Sequence, residues 1–487
     1  MPVDLRSYLK QLETDPEEEL LVINKELSPR FEIPAVLHKL EQEERFPTVL
    51  FQRVTGSDLP VVANIFASYR RHGLAIGTSD PKQMLNMYMQ REGRRIPTKR
   101  VGAEDAPVKQ VKWTGEQVDL RKLPIVTHHE QDSGPYITAG VLVTRDPRSG
   151  VYNAGVYRHE LRGPRELGAF MQPFSHSMEI CRRYGERGER MPAAICVGVH
   201  PALVIAANCR GALEDNELEA SGGLLGEPVE MVQAETLPIE VIARSELVIE
   251  GFVHPDRLVE DGPFGEYTGY YGSKQTVPLM EVTAITLRDK ALFHDIFAGH
   301  PDHNAGPLAT EANILRTVKQ FVPSVTAAHS PRCGSFYHVY ISIKKRVEGQ
   351  GKLAGIAALV AHPNIKHVIV VDDDIDVLNE HEVLWAVATR FQADTGLTLS
   401  PFTTGATLDP TAYGEIRSED GNMTTKMVID ATKPLGRSFP ERVAVPRDVM
   451  ERIDLRDLLQ GRETAGPKLA KRGEISAAEW WVTGKGS

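Results

Sequence analysis

Between Ile137 and Val282 the chain is a succession of short β-branched and aromatic runs broken by Gly and Pro, seen at 137–144, 194–199, 202–207 and 246–253. Runs of this length and composition predict a largely antiparallel sheet or barrel. The character differs on both sides. Residues 20–23 read as extended, 33–42 as an amphipathic helix and 48–52 as extended, which is an α/β unit. After Gly306 the chain returns to helix and strand, with helices expected over 310–321 and 351–361, an extended segment over 336–343 and a buried strand over 365–371. A chain of 487 residues is too long for one core, so these segments predict a multidomain α/β protein with a β-rich centre.

Composition narrows the functional classes. Apolar residues make up 41% and charged residues 25%, enough to fill several cores. A formal net charge of -10 argues against a nucleic-acid surface, because neutralising phosphates requires clustered excess Lys and Arg. Any anionic substrate must therefore meet a local positive site. The beginning of the chain lacks a basic stretch followed by an apolar core, and no apolar run approaches the roughly 18 residues of a membrane span; a cytoplasmic protein is the expectation. Cys181, Cys196, Cys209 and Cys333 show no metal-knuckle spacing and are expected to be reduced and mostly buried. Glycine fingerprints for dinucleotides, a Walker loop and HExxH are all missing from the sequence.

Asp261-Gly262-Pro263-Phe264-Gly265-Glu266 places two carboxylates around a turn whose Pro and Gly residues restrict and permit backbone torsions, respectively. A turn of this kind can aim both acids at one cleft for proton transfer, although the same residues also make ordinary surface turns. Upstream, Asn153, His176 and Glu217 offer an amide oxygen, an imidazole and a carboxylate, a donor set better suited to manganese or magnesium than to zinc. The acidic run 372–376 after a predicted strand has the composition of a metal site, but its expected role is structural, with one acid capping the next helix and the others in water.

Taken in order, Asn153 and Arg158, His176, Glu217, the Asp261 to Glu266 turn with Thr268, Gly269 and Tyr270, the acidic run ending at Asp376, and Lys426 followed by Asp430 resemble the UbiD family of prenylated-flavin-dependent decarboxylases, over about residues 20–442. Gly134-Pro135-Tyr136 and the 246–251 segment fit the same series. The resemblance implies an N-terminal α/β domain at 1–110, a central split β-barrel flavin-binding domain at 111–305, a C-terminal α/β oligomerisation domain at 306–460, and a peripheral tail at 461–487 bearing Trp480 and Trp481. The implied reaction is reversible non-oxidative decarboxylation of an aromatic, heteroaromatic or α,β-unsaturated acid on prenylated FMN.

Under this resemblance Asn153, His176 and Glu217 hold Mn2+ (or Mg2+) at the flavin phosphate, with K+ nearby and Lys426 approaching the same phosphate. Val156, Tyr157, Arg158 and Ser175 join them as cofactor contacts, and Arg158, Asp261 and Glu266 form the catalytic network. Many family members carry Glu where this chain has Asp261, which leaves the proton donor open between Asp261 and Glu266. Asn153 and Arg158 on one strand would point to opposite faces, so a bulge at Gly155 is expected. The segment 302–306 is expected to line the substrate side, and Tyr157, His159, His300 and His303 to make it polar. Implied partners are a small carboxylic acid, a flavin prenyltransferase that supplies the cofactor, and further copies in a homodimer or homohexamer, with neither nucleic acid nor membrane. The alternatives are a physiological carboxylase, a non-catalytic carboxylase subunit, or a metal hydrolase working without flavin.

Overall fold

Apolar residues at Ile33, Leu37 and Leu40 put one stripe on the helix Glu32–Gln42, and that stripe packs on Val49, Phe51 and Val61 of an adjoining sheet. In this computed structural model, which describes residues 3–455 apart from 210, 304–305, 414–416 and 419–420, the sheet runs Leu20–Ile23, Thr48–Phe51, Val61–Ala63, Phe293–His294. Its fourth strand arrives from far downstream and pairs in parallel with Val61 and Val62. The expected tail at 461–487, with Trp480 and Trp481, lies outside the described residues, as do Asn304 and Ala305.

The central runs form one nine-stranded sheet. Its spatial order is Tyr136–Ile137, His159–Gly163, Glu166–Ala169, Gln275–Leu287, Leu247–Asp261, Met191–Val197, Val141–Arg145 and Tyr152–Val156, with Val111–Thr114 also pairing Gln275–Leu287. All of these pairings are antiparallel. The path is open, yet the chain passes from its last strand, ending at Val156, to its second, starting at His159, through two residues. Three Cα steps of 3.8 Å reach at most about 11 Å, so the sheet curls until its two ends nearly meet, and Tyr157 and Arg158 lie at the seam of a split barrel. The longest pair, Leu247–Asp261 with Gln275–Leu287, breaks register at Gly251. A Cβ there would lie 2.3 Å from the Glu281 carbonyl, so only glycine permits the crossing.

One run expected as a strand is a helix. Pro201–Ala206 is helical because Pro201 opens it and the His200 ring accepts the Ala202 N–H at 3.1 Å; it is buried on every side, and a short, uniformly apolar run carries no period to separate the two structures. The C-terminal sheet runs Val325–His329, His338–Ile343, His367–Asp372, Gly421–Asp430, Leu397–Gly405, with helices Pro307–Phe321 and Gln350–Ala361 packed on its core. The acidic run is structural, though not as expected: Asp372 and Asp374 grip Arg390 at 2.8 Å, and Asn379, not an aspartate, caps the following helix. Cys181 and Cys196 are buried free thiols, Cys209 is half-buried and Cys333 exposed. Among the described residues, no helix is long and apolar enough to cross a membrane.

Asp302 does not line an open surface. It is fully buried, and its carboxylate accepts the backbone N–H groups of Asn64 and Phe66 at 2.8 Å and of Phe297 at 3.3 Å. Burial pushes its pKa up to about 6 against these bonds. Asp302→Ala would strand three buried donors and should destabilise the protein by about 3 kcal/mol or more, read as earlier unfolding in calorimetry; Asp302→Asn, which keeps one acceptor oxygen, should cost less.

Candidate active site

Asp261 ends the longest strand, and the turn after it is tied down on several sides. Ser133 N–H donates to the Pro263 carbonyl at 3.0 Å, Gly262 N–H to the Tyr136 hydroxyl at 3.1 Å, and Gly265 N–H to Asp132 at 2.9 Å. Gly262 has φ +88°, and a Cβ on Gly265 would lie 2.2 Å from the His129 ring, so both glycines are required, one by torsion and one by close approach. Asp132 also accepts the His129 N–H at 2.8 Å. Burial acts to raise the Asp132 pKa, but the bonds from His129 and Gly265 hold it below the usual carboxylate range. The result is two inward acids, Asp261 fully buried and Glu266 5% exposed.

Between them sits Arg158. Its Nη2 donates to Asp261 Oδ2 at 2.6 Å and its Nη1 to Glu266 Oε1. The guanidinium lies 4.1 Å from the Phe170 ring centre and 4.7 Å from that of Phe264, so aromatic faces shield the cation from water. One cation and two carboxylates leave an excess negative charge in a dry place. Burial, reinforced by the Asp261 charge, raises the Glu266 pKa despite the opposing effect of Arg158. Two polar atoms of the cluster, Arg158 Nε and Asp261 Oδ1, are buried with no hydrogen-bond partner among the described residues, and such atoms mark where a ligand would bond.

The three predicted metal ligands also converge. Asn153 Nδ2 donates to Glu217 Oε2 at 3.0 Å, the Ala154 N–H donates to the same oxygen at 3.1 Å, and His176 Nδ1 lies 3.5 Å from Glu217 Oε1. Ser177 Oγ donates to Asn153 Oδ1 at 2.6 Å. His176 and Glu217 are the first residues of the helices His176–Glu186 and Glu217–Leu225, capped by Ser175 and Asn216. The first residues of two helices thus meet here, and helix N-termini favour anions.

The expected bulge at Gly155 is not there. Tyr152–Val156 pairs in unbroken register with Val141–Arg145, and Arg158 reaches the second cluster because the strand ends at Val156 and the chain turns across the seam. Gly155 serves another end: a Cβ would lie 2.6 Å from the Tyr157 ring, which folds back toward Ser175 and Ser177.

Among the described residues, Lys426 makes no direct bond to either cluster. Its ammonium donates to the Pro363 carbonyl at 2.9 Å, and burial with no compensating carboxylate pushes its pKa down to about 8. His159 is a core residue, pushed down to about 3 by burial and therefore neutral. His303 accepts the Gly299 N–H at 3.1 Å. Sequence reasoning missed Asp132 and Phe170 as the supports of the turn and of Arg158, and passed over His129 and Phe297, whose rings stack at 5.5 Å beside them. Asp132 meets its partner 133 residues away, and no local pattern marks such a pairing.

Known proteins match most of the length of this chain. Three family models match in sequence order: the 3-octaprenyl-4-hydroxybenzoate carboxy-lyase N-terminal domain at residues 10–90, its Rift-related domain at 99–301 and its C-terminal domain at 303–431. An anhydromevalonate phosphate decarboxylase of Methanothermobacter thermautotrophicus is 32% identical over 88% of this chain and 97% of its own. The UbiD-class enzyme HmfF from Pelotomaculum thermopropionicum, solved in complex with FMN, superposes with a TM-score of 0.86 at 38% identity, covering 93% of this chain and 99% of that one. A 3,4-dihydroxybenzoic acid decarboxylase from Enterobacter cloacae gives a TM-score of 0.84 at 26% identity, over 92% and 99%. The chain belongs to the UbiD family of carboxy-lyases.

Proposed function

We propose that this protein catalyses reversible non-oxidative decarboxylation of a flat aromatic, heteroaromatic or α,β-unsaturated carboxylic acid with prenylated FMN, and that Glu266 is its proton donor. The observation that carries this reading is the buried Arg158 held between Asp261 and Glu266, with Glu266 pushed toward its protonated form. HmfF has also been solved in complex with prFMN. The residues fit such a cofactor: unpartnered Arg158 Nε and Asp261 Oδ1 for its reactive end, and paired helix N-termini for a phosphate.

Asn153, His176 and Glu217 would hold Mn2+ or Mg2+, with K+ close by, while Val156, Tyr157 and Ser175 flank the cofactor and Lys426 counters its phosphate. When bound, prenylated FMN supplies the electron sink that carbon dioxide loss requires. Arg158 orients the substrate carboxylate through its fork of donors. Glu266 delivers a proton to the carbon that carbon dioxide leaves, and Asp261, by its negative charge, keeps that proton on Glu266 until then. Phe297, His300 and His129 stack nearly parallel, with Phe297 and His300 ring centres 3.7 Å apart, and Gly299 packs against the Glu266 carbonyl; a ladder of flat rings beside the donor favours a planar acid. A flavin prenyltransferase would supply the cofactor, and the C-terminal domain would assemble a homodimer or homohexamer.

Protein co-expressed with a flavin prenyltransferase should carry flavin absorbance and stoichiometric manganese, and should release carbon dioxide from at least one member of a panel of aromatic and unsaturated acids; manganese without flavin would overturn the reading. Glu266→Gln should reduce carbon dioxide release at least ~100-fold. Asp261→Asn should retain part of it. Because the donor must be protonated, kcat/KM should fall as pH rises through the Glu266 pKa; removing the Asp261 charge that raises this pKa should move the fall to lower pH. Lys426 offers a second pH test. Its pKa near 8 in the flavin-free protein means that FMN uptake, followed by fluorescence quenching, should weaken as pH rises through that value, and Lys426→Met should abolish the dependence.

A further inference from the structure

Outside both clusters, three potential metal ligands meet where the helix Glu32–Gln42 faces the loop after Phe293–His294. His38 Nδ1 lies 3.3 Å and His300 Nδ1 2.5 Å from the same Glu41 oxygen, and one donor atom from each residue falls within 4.8 Å of the other two. We infer that His38, Glu41 and His300 form a second cation site, selective for a borderline metal such as Zn2+, that clips the N-terminal helix to the loop carrying the ring ladder. This inference does not rest on the decarboxylase reading.

Four features support it. First, two imidazoles and one carboxylate are the donor set of open zinc sites and a poor one for magnesium, so the site differs in kind from Asn153, His176 and Glu217. Second, tetrahedral coordination at Zn–N and Zn–O distances near 2.0 Å separates donor atoms by about 3.3 Å. The His38 to Glu41 spacing already has that value, and the His300 to Glu41 spacing needs to open by less than about 1 Å. Glu41, at 32% side-chain exposure, is free enough to provide it. Third, the far nitrogen of His38 is 3.2 Å from Gln42 Nε2, and half a turn of that amide puts its oxygen there instead. An amide oxygen turned to that nitrogen accepts its proton and leaves the Nδ1 lone pair facing inward, the outer-shell contact that metal-bound histidines characteristically make. Fourth, His300 is held in orientation by stacking on Phe297 at 3.7 Å and on His129 at 5.7 Å, while His38 is half-exposed, so the fourth position opens to solvent and to incoming metal.

A cation here would fix the His300 ring and, through Phe297, one wall of the ladder beside Glu266. The test is calorimetric titration of Zn2+ into the Mn2+-saturated holoprotein and into Glu217→Gln, each compared with His38→Ala and Glu41→Gln. His38 and Glu41 are accessible, so both variants should fold, as their melting curves would verify. One Zn2+ should bind in both backgrounds, weakened about 100-fold by each of the two variants. Overturning results would be no Zn2+ uptake by the holoprotein, uptake that disappears with Glu217→Gln, or affinity unchanged by either His38→Ala or Glu41→Gln, since a three-ligand site needs both.

Discussion

Two acids in a dry pocket cannot both stay ionised unless something of opposite charge stands between them, because each uncompensated buried ion costs several kcal/mol. In this protein that something is Arg158, and much of the central domain is arranged to keep it there. The guanidinium is wedged between Phe170 and Phe264, the acids are presented by a turn bound to Asp132, Ser133 and Tyr136, and the backbone carrying the arginine crosses the seam of the barrel. One positive charge against two negative ones is also an unfinished balance. A proton completes it, and the raised Glu266 pKa is the local sign of that demand.

The same short segment organises the other pole. Asn153 and Arg158 are five residues apart, one inside the Asn153, His176 and Glu217 cluster and the other inside the acid pair. The first pole gathers two helix N-termini and favours negative groups; the second is a carboxyl pair around a cation and favours protons. Under the proposed function such a segment serves a molecule with an anionic tail and a reactive flat head, and Gly155 lets Tyr157 fold back toward Ser175 and Ser177.

Much of this was legible in the residues. The β-rich centre between α/β flanks followed from runs and breakers, and the ordered motifs brought Asn153, His176 and Glu217 together, as they did Arg158, Asp261 and Glu266. Among the local readings that failed, three have a plain physical reason. The run at 202–207 is uniformly apolar, so no period distinguished helix from strand. The offset between Asn153 and Arg158 is resolved by the strand stopping at Val156 rather than by a bulge, and strand ends are set by pairing partners that a single segment does not reveal. Asp302 was expected to line the substrate side, but three N–H groups from residues 64, 66 and 297 bury it. Contacts of that range leave no trace in neighbouring letters.

The first sheet is completed by Phe293–His294, so its hydrogen-bond ladder is closed only after the entire barrel has been synthesised. The N-terminal unit is accordingly not a detachable module. A fragment cut near residue 100 would expose the open edge of Val61–Ala63 together with the unanswered backbone donors of Asn64 and Phe66, and a chimaera that exchanged only the leading residues would have to match a foreign strand to that edge.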